Sequence, residues 1–147
     1  MQGATQSTKA SQIVRKWCLL DAKGETLGRI STKIALLLMG KAKPYFVRNL
    51  DCGDYIVVLN AKEIHVTGKK EEQKSYKRHS GYPGGFKSET LRELRDRKPE
   101  EIIVKAVKGM LPDNRLKKKM LTRLYVFPGS EHIYQDKFKK LEIKPKN

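Results

Sequence analysis

This sequence predicts an α/β fold with a parallel sheet covered on both faces, and three stretches carry the prediction. Trp17 to Asp21 (WCLLD) is a short apolar run, the pattern of a first strand. Thr26 then caps a helix whose apolar face is Leu27, Ile30, Ile34, Leu37 and Leu38, and Gly40 ends it. Asp54 to Asn60 (DYIVVLN) is an unbroken apolar strand, as expected where both faces are buried. The connection between the two strands is long enough to be a right-handed crossover, which makes them parallel. The expected arrangement is a compact three-layer fold, a mainly parallel central sheet flanked by helices, plus basic extensions.

The 147 residues suit one domain with a real core. Residues 1–16 are polar, carry Lys9, Arg15 and Lys16 without an acid, and are expected to be a basic N-terminal extension. Residues 17–129 form the domain, and 130–147 are expected to be a basic tail with little core potential. Ile64 to Thr67 suggests another short strand. The segment 68–87 is a loop inserted in the domain; it has no core pattern and closes on Pro83-Gly84-Gly85. Ser88 is placed to cap a helix running through Arg97, and Pro99 opens the next, Glu100 to Lys108, with Gly109 just past its end. Asp113 or Asn114 caps a further helix after Pro112, leading to a short strand.

Lys and Arg number 32 against 16 Asp and Glu, a formal net charge of +16. So much self-repulsion points to a polyanionic partner, phosphate backbones before anionic membrane surfaces. A membrane span is not expected, because no run of about 18 apolar residues exists. On a helical wheel from Leu116, at about 100° per residue, Leu116, Met120, Leu121 and Leu124 share one side. Arg115, Lys118, Lys119 and Arg123 fall on the other, with no acid among them. Lys117 points to the apolar side, where its stem lies along the core edge and its ammonium reaches out. The loop mixes Lys69, Lys70, Lys74, Lys77, Arg78 and Lys87 with Tyr76, Tyr82 and Phe86. Cations suit phosphates, rings stack on unpaired bases, and glycines admit a closely approaching ligand.

No cofactor, metal or catalytic group is expected. Gly24 and Gly28 have G-x-x-x-G spacing rather than that of a dinucleotide turn, and Gly40-Lys41 and Gly68-Lys69 lack the rest of a P-loop. His65, His79 and His132 are scattered, and Cys18 and Cys52 have no zinc or redox spacing. Asp51 and Asp54 are best explained as carboxylates accepting backbone N–H bonds at a strand entrance. Ser80 has no paired base nearby.

Several blocks resemble the bacterial-type large ribosomal subunit protein L-thirteen family. They are W-C-L-L-D-A-x-G-x-x-L-G-R at 17–29, D-C-G-D-Y-I-V-V-L-N-A at 51–61, V-T-G-x-K at 66–70 and H-S-G-Y-P-G-G at 79–85. R-K-P-E at 97–100, A-V-K-G-M-L-P at 106–112 and L-Y-V-F-x-G-S-E-H at 124–132 follow in the family order. The chain departs from the family at Arg48 and Asn49, where Pro and His are usual, and at Lys117, where Gly is usual. The resemblance implies a non-enzymatic protein that binds large-subunit ribosomal RNA early in assembly and touches neighbouring ribosomal proteins. It implies neither a membrane nor a small-molecule substrate. The expected compartment is the cytoplasm, on the ribosome, or an organelle interior. A dissociable regulator of messenger RNA is the alternative. The expected RNA contacts are Arg115, Lys117, Lys118, Lys119 and Arg123, then Lys69, Lys70, Lys74, Lys77, Arg78, His79, Tyr82, Gly84 and Gly85, with Lys41, Lys43 and Arg48.

Overall fold

The computed structural model describes residues 7–142, with side chains to residue 138. The ends of the two expected extensions, residues 1–6 and 143–147, lie outside the described residues. Strand β1 (Trp17–Asp21) is followed by helix α1 (Leu27–Met39), then β2 (Tyr55–Leu59). The two strands are parallel, with Trp17 opposite Tyr55 and Asp21 opposite Leu59. Strand β5 (Leu124–Val126) pairs in parallel with the other edge of β2, which makes β2 the central strand. The fold is a compact α/β architecture on a parallel three-stranded sheet, as the apolar pattern predicts.

Side chains alternate across a strand. Leu20, Ile56, Val58, Leu124 and Val126 therefore share one face; Ile56 and Val58 belong to the buried core cluster with Ile30, Ile34 and Leu38 of α1, and the other three, partly buried, pack against it. Helix α4 (Pro99–Met110) adds Ile102, Ile103 and Val107 to that cluster. Trp17, Tyr55, Val57 and Tyr125 lie on the opposite face. Trp17 stacks on Tyr55 at 4.6 Å between ring centroids, and Tyr134 closes on Tyr125 at 4.4 Å. Phe138, in helix α6 (Gln135–Glu142), meets Trp17 edge-on. Each such pair adds about 0.5–1.5 kcal/mol beyond simple burial. Two aromatic residues of the stretch expected to be a tail thus pack on the second face of the sheet.

Helix α1 ends as expected at Gly40, whose φ of 73° is left-handed. Space demands glycine there too, since a Cβ would stand 2.4 Å from the Cys52 carbonyl oxygen. Other boundaries differ from expectation. Helix α4 runs through Gly109 to Met110, because the Leu111 N–H continues the ladder to the Val107 carbonyl. Pro112 stops it by forcing Leu111 into an extended conformation. Ser88 does not cap helix α3 (Leu91–Arg97); it belongs to strand β4 (Phe86–Thr90). Thr90 caps α3, with Thr90 Oγ1 accepting the Glu93 N–H and Glu93 accepting the Thr90 N–H at 2.8 Å. Ile64 to Thr67 contributes only an isolated parallel bridge, His65 to Thr26.

Candidate nucleic-acid interface

The inserted segment is more ordered than its lack of a core pattern suggests. Helix α2 (Lys70–Gln73) leads into strand β3 (Ser75–His79), which pairs antiparallel with β4 as a separate hairpin. Tyr76 roots it: half-buried, it packs against the core cluster, with Lys105 Nζ 4.6 Å and Lys74 Nζ 5.5 Å from its ring centroid. Burial raises the Tyr76 phenol above its ordinary pKa. Tyr76 is therefore not a free stacking surface, contrary to expectation. Glu89, opposite Tyr76, accepts two 2.8 Å bonds from the Arg97 guanidinium, which holds its carboxyl below the ordinary range.

Beyond that root the hairpin faces solvent. Arg78 stands directly opposite Lys87, an arrangement that repels without an intervening anion. At the tip Tyr82 is 75% exposed and Phe86 57%. His79 is exposed, and its Nδ1 accepts the Gly81 N–H at 2.9 Å. The two candidate glycines do different things. Gly84 has a φ of +70° and open space where a Cβ would project, whereas a Cβ on Gly85 would lie 2.0 Å from Ser80 Oγ. The left-handed φ of Gly84 calls for glycine whatever the space around it, and at Gly85 a Cβ would also stand 2.9 Å from the Tyr82 carbonyl oxygen.

The second cluster lies on helix α5 (Leu116–Leu121), which Asn114 helps start by accepting the Lys117 N–H at 3.1 Å. Arg115, Lys118 and Lys119 are exposed, and none has an acid within ion-pair distance among the described residues. Lys117 keeps only 18% of its side chain exposed and reaches Asp113 at 3.4 Å, the edge position its place on the wheel predicts.

Two expected RNA contacts are corrected by the fold. At about 100° per residue Arg123 comes round to within about 20° of Leu116, at the apolar edge rather than among the exposed cations, and just past the Thr122 cap its side chain turns inward. Arg123 is 4% exposed and donates both terminal nitrogens to the Asp51 carboxylate. Its Nε is buried without a partner, and Arg15 approaches the same carboxylate at 3.7 Å. Lys43 is likewise internal: its ammonium bonds Asp54 at 2.6 Å and the Val14 and Cys52 carbonyls at 2.8 Å each. Neither cation is presented to a phosphate. Asp54 also accepts the Lys16 N–H at 2.8 Å, the role expected for a strand-entrance carboxylate. Gly53 lets this segment pass the end of α1, since a Cβ there would lie 1.7 Å from the Leu38 carbonyl oxygen.

Lys69, Lys70, Lys74, Lys77, Arg78, Lys41 and Arg48 are all exposed. Sequence reasoning had missed the long-range pairing of Asp51 and Asp54 with cations; two acids flanking Cys52-Gly53 were the available signal. Among the described residues no cluster of His, Cys, Asp and Glu could hold a metal, and no helix is long and apolar enough to cross a membrane.

A parallel α/β body whose exposed cation clusters meet no acid at ion-pair distance among the described residues has the surface of a polyanion-binding protein. The Ribosomal protein L13 family model matches residues 15–133, and the chain belongs to that family. It is 51% identical over 141 residues to the large ribosomal subunit protein uL13 of Aquifex aeolicus, covering 95% of this chain and 98% of the relative. The protein of the same name from Clostridioides difficile is 52% identical, covering 86% and 88%. That of Dehalococcoides mccartyi strain BAV1 is 53% identical, covering 87% and 90%. The family is structural rather than enzymatic.

Proposed function

We propose that this chain is a structural constituent of the large ribosomal subunit, binding and stabilising its ribosomal RNA during early assembly, in the cytoplasm. The observation that carries the reading is the separation of its cations into two kinds. Lys43 and Arg123 are neutralised internally, while Arg115, Lys118 and Lys119 on α5 face solvent with no acid at ion-pair distance among the described residues. Only an external anion neutralises the second kind. The hairpin repeats the pattern at Arg78 and Lys87, beside the exposed rings of Tyr82 and Phe86. Displacement of condensed counterions from folded RNA supplies affinity, and the fixed spacing of the two clusters supplies recognition of RNA shape. Neighbouring large-subunit proteins are the second class of partner.

Sedimentation of the tagged protein through a high-salt sucrose gradient tests this directly. Co-migration with the large subunit after the salt wash is expected. A protein remaining near the top of the gradient is a dissociable RNA binder, and the proposal then fails.

A further inference from the structure

A groove joins two parts of the chain that are distant in sequence. Met39, Phe46, Leu50, Pro112 and Met120 supply its apolar lining, with Phe46 its one aromatic ring. Lys41, Arg48 and Asn114 complete the lining, and all three are exposed. Neither of the two cations has an acid within ion-pair distance among the described residues. The Asn114 carbonyl oxygen is occupied by the Lys117 N–H, which leaves its amide NH2 as a donor.

The groove is preformed. Lys43 ties its own loop to Val14, Cys52 and Asp54, and the Tyr45 hydroxyl donates to the Val14 carbonyl at 3.1 Å. The Phe46 N–H closes a turn on the Lys43 carbonyl, and the Thr8 hydroxyl donates to the Tyr45 carbonyl at 3.0 Å. A rigid site binds without the cost of ordering a loop. An apolar slot with one aromatic ring, an amide donor and two exposed cations fits a nucleobase: flat, apolar on its faces, polar at its edge, and attached to a phosphate. A peptide side chain would satisfy the apolar lining but leave Lys41 and Arg48 unneutralised.

We infer that this groove receives one unpaired base of the bound RNA, with Phe46 as the stacking surface, Asn114 at the base edge, and Lys41 and Arg48 on the flanking phosphates. The inference rests on the RNA-binding reading above and names a site within it.

Ultraviolet crosslinking of salt-washed large subunits, followed by mass spectrometry, tests it. A nucleotide adduct on Phe46 is expected. Phe46→Leu should weaken binding to in vitro transcribed large-subunit RNA by roughly 5- to 150-fold, the range for removal of one base stack. Phe46→Tyr should restore most of it, and neither change should lower the thermal midpoint of the free protein appreciably. Co-sedimentation with the subunit but no adduct on Phe46 overturns the inference alone. Crosslinking of Phe46 to a neighbouring protein overturns it as well, by giving the groove a different occupant. Failure to co-sediment removes the RNA-binding reading, and this inference with it.

Discussion

Arg115 and Arg123 carry the same guanidinium a few residues apart, one at each end of α5, and do opposite work. Arg115 is exposed and has no acid partner among the described residues; Arg123 is 4% exposed and gripped by Asp51. The difference is one of surroundings. At the far end of the helix the chain turns into β5, where the Asp51 segment passes close enough to meet the side chain. Charge pairing that spans most of the domain thus converts a presumed RNA contact into part of the scaffold. A cation count measures affinity for a polyanion only after the internally paired cations have been subtracted.

The sharpest way to break this contrast is Arg123→Gln. Removing one partner of a buried pair leaves the other charge without compensation, at a cost of about 3–5 kcal/mol. Denaturant unfolding should show that drop in stability, while the folded fraction should keep its salt dependence of RNA binding. An unchanged unfolding midpoint with a shallower salt slope would reverse the assignment.

The exposed side of the comparison should respond in the opposite way. Replacing Arg115, Lys118 and Lys119 with Gln should shift stability by no more than about 0.5 kcal/mol per residue. Binding to large-subunit RNA should weaken, and the slope of log affinity against log salt should flatten by about 0.7–0.9 for each phosphate that is no longer neutralised. Filter binding across a salt series measures this, and a slope equal to that of the unaltered chain would refute the role given to α5.

The smallest effect belongs to Glu89, a surface carboxylate at the hairpin root. Its folded pKa is depressed, first by the hydrogen bonds from Arg97. As pH falls the unfolded chain takes up this proton first, so stability falls with pH through that window and is complete above it. Glu89→Gln should therefore flatten the acid side of the thermal stability profile and leave the neutral side nearly unchanged. A profile parallel to that of the unaltered chain down to the acid limit would remove Glu89 from the hairpin's support.

Much of the fold was legible because its signals are local. The unbroken run Tyr55–Leu59 marks a strand buried on both faces, and it is the central strand of the sheet. The Gly40 helix end and the exposed cations Arg115, Lys118 and Lys119 also follow from short-range pattern. The hairpin strands escaped because Ser75–His79 and Phe86–Thr90 alternate polar with polar and bury little, so no period of two betrays them. The aromatic cover of the second face escaped for a different reason: Tyr134 and Phe138 sit among charged residues, and only their distance to Trp17 and Tyr125 reveals a partner.

By itself, the sequence determined the α/β class, the parallel pairing, the excess of cations and the family, all properties of local pattern or composition. Tertiary structure alone decided which cations remain available to RNA. An ion pair depends on where two remote segments meet in space, and Asp51 with Arg123, or Asp54 with Lys43, meet only once the sheet has assembled. The same holds for the groove at Phe46, whose lining residues are brought together by packing between the 39–50 segment and the entrance to α5.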